Sequence, residues 1–102
     1  MYTYRLTESA LRDLREISDY ISQQLFAPES AKELLDAFEQ ALQSACHFPF
    51  SLPVVGDPLL KLKGYRKIIV RNYIIFVIPD KGSQVLNVMR VLYYAQDYVQ
   101  HL

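Results

Sequence analysis

Apolar positions along the chain change their period twice, and each change marks a new kind of element. Residues 2–6, YTYRL, are short and rich in β-forming side chains, which predicts a first strand. Leu11, Leu14, Ile17, Ile21 and Leu25 then recur at three- and four-residue steps, with Arg12, Asp13, Glu16 and Asp19 between them. That spacing predicts an amphipathic helix over about residues 8–25. Thr7 offers a hydroxyl to cap it, Ala10 lacks the reciprocal acid of a capping box, and Leu6 and Leu11 stand at the two ends of a hydrophobic staple. Pro28 suits the first turn of a second helix and Glu29 complements that helix's positive end. Ala31, Leu34, Leu35, Phe38, Ala41, Leu42 and Ala45 form its apolar stripe. The short connection predicts an antiparallel helical hairpin with an acidic outer side.

FPFSLPVVGDP, residues 48–58, holds three prolines and one glycine and ends the helical region. It reads as an irregular connector of the kind that edges a binding site. Three strands are predicted after it, at about 64–71, 73–79 and 84–93. PDKGS joins the last two, with Gly82 expected to take the positive φ of a tight hairpin, and Asn72 alone marks the turn before Tyr73. The middle strand, YIIFVI at 73–78, is apolar on both sides, as in a strand covered on both faces. The helical hairpin accounts for one face; no segment is evident as cover for the other. At 102 residues the order strand, helix, helix and three strands fits one domain around one core.

Composition narrows the chemistry. A hydrophobic content of 51% supports a core without covalent staples. A single cysteine, Cys46, excludes an internal disulfide and is expected to be an apolar filler in a reducing compartment. No run approaches the roughly 18 apolar residues of a membrane span. The start, MYTYRLTESA, lacks the cationic opening and apolar block of a signal peptide. A soluble cytoplasmic protein without a membrane partner is expected. The formal net charge of zero hides an asymmetry: residues 1–57 carry four Lys/Arg against nine Asp/Glu, a balance of −5, and residues 58–102 carry seven against two, a balance of +5. Five of the eleven cations lie in KLKGYRKIIVR, residues 61–71. An anionic partner for the second half and mutual attraction of the halves are both consistent with this.

Gly56, Gly64 and Gly82 are too widely spaced for a phosphate-binding loop, and His47 and His101 lack the companions a metal site needs. No nucleophile motif surrounds the serines, so neither metal nor cofactor is expected. What remains is a basic set with rings interleaved. In a strand, Lys67 and Arg71 share a face with Tyr65, while Arg66 shares one with Ile68 and Val70. Arg90 lies among Val88, Met89, Val91 and Leu92, where a charge needs a partner or water. Tyr93, Tyr94 and Tyr98 follow. Cations for phosphate and flat rings for bases are the ingredients of single-stranded nucleic-acid binding. The plainer reading makes Lys67 and Arg71 solvated strand residues, pairs Arg66 with a helix acid and Arg90 with Asp97, and half-buries the tyrosines in the sheet.

GYRKIIVRNYIIFVI followed by VMRVLYYAQDY resembles the RelE/ParE superfamily of bacterial toxins from type II toxin–antitoxin modules. The carrying features are Tyr65-Arg66 opening the second strand, Asn72-Tyr73 before the apolar third strand, and the run Arg90-Val91-Leu92. The resemblance spans nearly the full length in element order, with its motifs within residues 64–98. It implies an α+β fold, β-α-α-β-β-β, with an N-terminal strand and helical hairpin packed on a mostly antiparallel sheet. It also implies a cognate antitoxin in a hetero-oligomer, draping a helix or strand over the toxin and covering the apolar surface left on the middle strand.

The branches of the superfamily differ in activity. RelE-like members cut messenger RNA on the ribosome without metal, by attack of the ribose 2′-hydroxyl, using clustered Lys/Arg and a late Tyr or His. ParE-like members inhibit DNA gyrase. Arg66 matches the basic residue opening the second strand, with Lys63 and Lys67 as neighbours. Ile74 stands where RNA-cutting members carry an arginine, and Ala95-Gln96 replace a basic pair of the tail, although Asp97 is kept. Tyr93 or Tyr94 occupies the late catalytic position. Cleavage needs a base, cations for the phosphorane and an acid for the leaving oxygen, and an isoleucine supplies none of these. The first expectation is therefore a ParE-like toxin whose target-binding residues are Lys61, Lys63, Arg66, Lys67, Arg71 and Tyr98, with Arg90 on the same functional surface. The second is a ribosome-dependent endoribonuclease with Arg66, Arg90 and Tyr94 as catalytic residues. A third is an inactive relative that only binds an antitoxin.

Overall fold

In the computed structural model Thr7 starts the first helix as its position predicts. Its Oγ1 accepts the Ala10 N–H at 3.1 Å, and its hydroxyl also reaches the carbonyls of Val88 and Met89 at 3.0 Å. Strand β1 (Thr3–Leu6) thus passes into α1 (Glu8–Asp19) at a point pinned to the far end of the chain. A π-helical turn, Tyr20–Gln24, widens the end of α1, and α2 (Pro28–Ala45) follows with Pro28 in its first turn. A 3-10 turn at Pro49–Ser51 and a short helix, α3 (Pro58–Leu62), lead to β2 (Arg66–Val70), β3 (Tyr73–Asp80) and β4 (Val85–Tyr93).

The sheet order is β1-β4-β3-β2, with β1 parallel to β4 and the other pairs antiparallel. It is the α+β arrangement expected, a mostly antiparallel sheet under an N-terminal strand and helical hairpin. Pairing shifts between Phe76 and Val77: Phe76 faces Arg90 and Val77 faces Val88, which leaves Met89 as the extra residue of a bulge. The bulge resets the alternation of β4, so Val88 and Val91, three apart, both join the core under the helices.

Two apolar clusters sandwich the sheet. On one face Ile75, Val77, Leu86, Val88 and Val91 pack with Ala10, Leu34, Phe38 and Leu42 of the helices. On the other, Phe76 and Leu92 pack with Val55, Leu60 and Tyr65, joined by Ile74, Ile78, Met89, Tyr98 and Leu102. The middle strand was expected to leave an apolar face for a partner; instead Ile75, Phe76 and Val77 are 0% exposed. The chain covers that face itself with the connector, α3 and the C-terminal segment. Helix α3 was not expected. Asp57 caps it by accepting the Leu60 N–H at 3.1 Å, and Leu60 is its single buried residue.

Local expectations shift in three further places. Leu11 and Leu25 of the α1 stripe are exposed, while Ala10 and Asp13 turn inward with Leu14, Ile17 and Ile21. In the last hairpin the positive φ falls on Gln84, at 56°, not on Gly82, whose N–H instead donates to the Asp80 side chain. In the preceding hairpin Asn72 does lie in the turn, and the positive φ falls on Arg71, at 55°.

Candidate functional site

The five cations of residues 61–71 do not share one strand. Lys61 lies in α3, Lys63 caps that helix, Arg66 and Lys67 open β2, and Arg71 forms the turn into β3. Lys61, Lys63 and Arg71 are exposed and Lys67 is half-buried. The one salt bridge of the molecule involves none of these cations, and the side chains of these four donate no hydrogen bond within the chain. Apolar side chains stand exposed among them: Leu59 at 61%, Leu62 at 84% and Ile69 at 66%. Positive charge and bare apolar surface therefore alternate along α3 and the edge strand β2.

Arg66 is differently placed. Its guanidinium donates to the carbonyls of Phe50 and Leu52, at 2.9 and 2.7 Å, and lies 5.3 Å from the centre of the Phe50 ring. It pairs with no helix acid. The connector also bonds the outer edge of β2, where the Lys67 N–H donates to Pro53 O at 3.0 Å. Arg66 fixes the connector to the sheet through contacts that satisfy a charge with carbonyl dipoles.

Arg90 does not meet Asp97. It makes a two-point pair with Asp13 of α1, Nε to Oδ2 at 2.6 Å and Nη2 to Oδ1 at 2.9 Å, and Nη1 donates to His101 O at 3.1 Å. The hydrogen bond to Asp13 is the main reason the Arg90 pKa stands above its ordinary value. Asp13 also accepts the Val91 N–H at 3.0 Å, so one carboxylate caps the sheet edge that β1, ending at Leu6, no longer covers. Sequence reading placed Asp13 on the polar face of α1. Its partner stands 77 positions away, and no local pattern signals the pair.

Beside this pair opens a cleft of about 700 Å3, lined by Asp13, Glu16 and Tyr20 on one side and Tyr73, Arg90 and Tyr93 on the other. Tyr73 packs edge-on against Phe38 and Tyr93, with ring centres at 5.7 and 5.8 Å. Burial raises the Tyr73 pKa, and the nearby phenols of Tyr93 and Tyr20 raise it further.

The three residues named as catalytic do not converge. Arg66 is on the edge strand, Arg90 is two strands away in the grip of Asp13, and Tyr94 is exposed beyond β4, its ring 5.3 Å from that of Tyr93. Of the target-binding set, Tyr98 packs on Phe76 at 5.0 Å as part of the second core cluster. Lys67 faces Phe76, which faces Arg90, so these three form a cross-strand row ending at the bulge. No three His, Cys, Asp or Glu side chains gather as metal ligands would, and no helix is long and apolar enough to cross a membrane.

A sequence model described as the ParE toxin of type II toxin–antitoxin system, parDE, matches residues 4–98. No curated protein matches the chain. Among solved structures, one of the chromosomal ParDE system from P. aeruginosa superposes with a TM-score of 0.72 at 18% identity, covering 91% of this chain and 96% of that one. The E. coli RelBE toxin–antitoxin complex matches at a TM-score of 0.58 and 19% identity, over 94% of this chain and 99% of that one. The RelBE2 complex from Mycobacterium tuberculosis gives 0.61 and 21%, over 93% of each chain. At these identities the structural matches speak for the fold.

Proposed function

The chain belongs to the ParE toxin family of type II toxin–antitoxin systems, and we propose that it arrests growth in the ParE-like manner, by binding DNA gyrase, until a cognate antitoxin neutralises it. The binding surface in this reading is Lys61, Lys63, Lys67 and Arg71 with the exposed Leu59, Leu62 and Ile69. The alternation of free cations and bare apolar groups carries the proposal. A protein partner with acidic and apolar groups satisfies both, whereas a nucleic acid offers phosphates but leaves the leucines uncovered. RNA cleavage would need Arg66 and Arg90 free to meet the phosphorane, and both are held by partners within the chain. The antitoxin is supported by the structural relatives, several of which are toxin–antitoxin complexes.

Induced expression followed by two readouts tests this. Filamentous cells with DNA-damage signalling, together with inhibition of supercoiling by purified gyrase, are expected. Messenger RNA cut on ribosomes would favour the ribonuclease reading, and unaffected growth would favour the inactive relative. Replacing Lys61, Lys63, Lys67 and Arg71 together by Ala should weaken gyrase inhibition by about tenfold or more, since each lost charge pair is worth up to ~1 kcal/mol. Undiminished inhibition by a folded quadruple variant removes this surface from the proposal.

A further inference from the structure

The cleft beside α1 is built from groups that the gyrase-binding surface does not use. Asp13, Glu16, Ile17 and Tyr20 face it from one side at three- and four-residue spacing, and Tyr73 and Tyr93 wall the other. Tyr20, Tyr73 and Tyr93 all line it, with the Tyr73 and Tyr93 ring centres 5.8 Å apart. Tyr20 and Tyr93 are exposed at 55% and 45%, which leaves ring surface open to a visitor.

Charge decides what kind of visitor fits. Two carboxylates, Asp13 and Glu16, line the cleft against one guanidinium, Arg90. Asp13 and Arg90 satisfy each other at two points, and Asp13 also holds the Val91 N–H. Glu16 is exposed and makes no ion pair or side-chain hydrogen bond; its charge acts on Arg90, but two carboxylates outnumber the one guanidinium, so an excess negative charge remains in an aromatic cleft. His101 lines the cleft as well, and its backbone carbonyl is taken by Arg90.

We propose that this cleft is a guanidinium pocket, which receives an arginine side chain of a partner polypeptide between the tyrosine rings and Glu16. A phosphate would meet the Glu16 charge and would have to draw Arg90 away from Asp13. An apolar side chain would leave the excess negative charge of the cleft unanswered. An ammonium is a strongly hydrated point charge, whereas a guanidinium is planar and weakly hydrated. It stacks on rings while its edge donates to a carboxylate. The pocket uses none of the cations of α3 and β2, and it does not depend on what those cations bind.

The test is an NMR titration of the isotopically labelled full chain with N-acetyl-arginine amide, set against its neutral isostere N-acetyl-citrulline amide. Saturable shifts at Glu16, Tyr20, Tyr73, Val91 and Tyr93 are expected with the arginine probe, and binding of the citrulline probe at least about tenfold weaker. Glu16→Gln should weaken the arginine probe by about threefold, and Tyr20→Ala by about two- to fivefold. Both positions are exposed, and unchanged resonances elsewhere in the spectrum establish that the variants fold. Equal responses to the two probes, the absence of saturable shifts, or variants that titrate like the parent would each overturn the pocket. None of those results bears on the gyrase assay, so the two proposals fail separately.

Discussion

Asp13 holds three donors from β4, and its loss leaves two guanidinium N–H groups and a buried backbone N–H without their acceptors. Asp13→Ala should therefore destabilise the fold by about 2–4 kcal/mol, the scale of breaking a largely buried pair. Urea unfolding reads the cost, and a double change of Asp13→Leu with Arg90→Met should recover much of it. Arg71 offers the opposite case. At φ 55° an arginine is strained where glycine is not, so Arg71→Gly should stabilise by about 0.5–1 kcal/mol and, on the proposed gyrase reading, weaken inhibition. A variant that is steadier and less active fits a residue kept for its charge; one that is steadier and equally active would show that Arg71 only turns the chain. Titration at high pH supplies a third check. Burial is the leading cause of the raised pKa of Tyr4, Tyr65 and Tyr73, so each phenol gives up its proton later in the folded chain than in the unfolded one. Their contribution to stability is complete below the ordinary value of 10.0 and is lost as pH rises through the folded values. Unfolding followed at increasing alkaline pH should show that decline, with phenolate absorbance lagging in the native state.

At the scale of elements, the strands and the two long helices were legible because their periods run over many residues. The 3.6-residue repeat of α2 and the unbroken apolar run of β3 survive local noise. Helix α3 was not legible: five residues, PLLKL, cannot display a helical period, and three leucines in them look the same in a strand. The cover of the second sheet face was invisible for the same reason, being assembled from single residues of the connector, α3 and the tail. Val55, Leu60, Tyr98 and Leu102 acquire a common role only when the chain folds. The candidate site was partly legible, in that the cations were found, but their distribution over a helix, a strand and a turn was not. Leu60→Ala should cost about 2–4 kcal/mol through the cavity left under Phe76. A smaller loss, measured by denaturant unfolding, would mean that α3 lies loosely on the sheet.

Across the whole molecule, the charge asymmetry of the sequence does not resolve into attraction between the halves. One ion pair, Asp13 with Arg90, links them, and the other cations of the second half bind backbone or stand free. The pairing of β1 with β4 has a consequence of another kind. Residues 3–6 hydrogen-bond beside residues 85–88, so the opening of the chain has no place in the sheet until nearly the whole polypeptide exists. Such distant pairing delays folding, because the closure entropy must be met before the contacts form. During translation the nascent chain is thus barred from assembling its sheet until the final strand clears the ribosome.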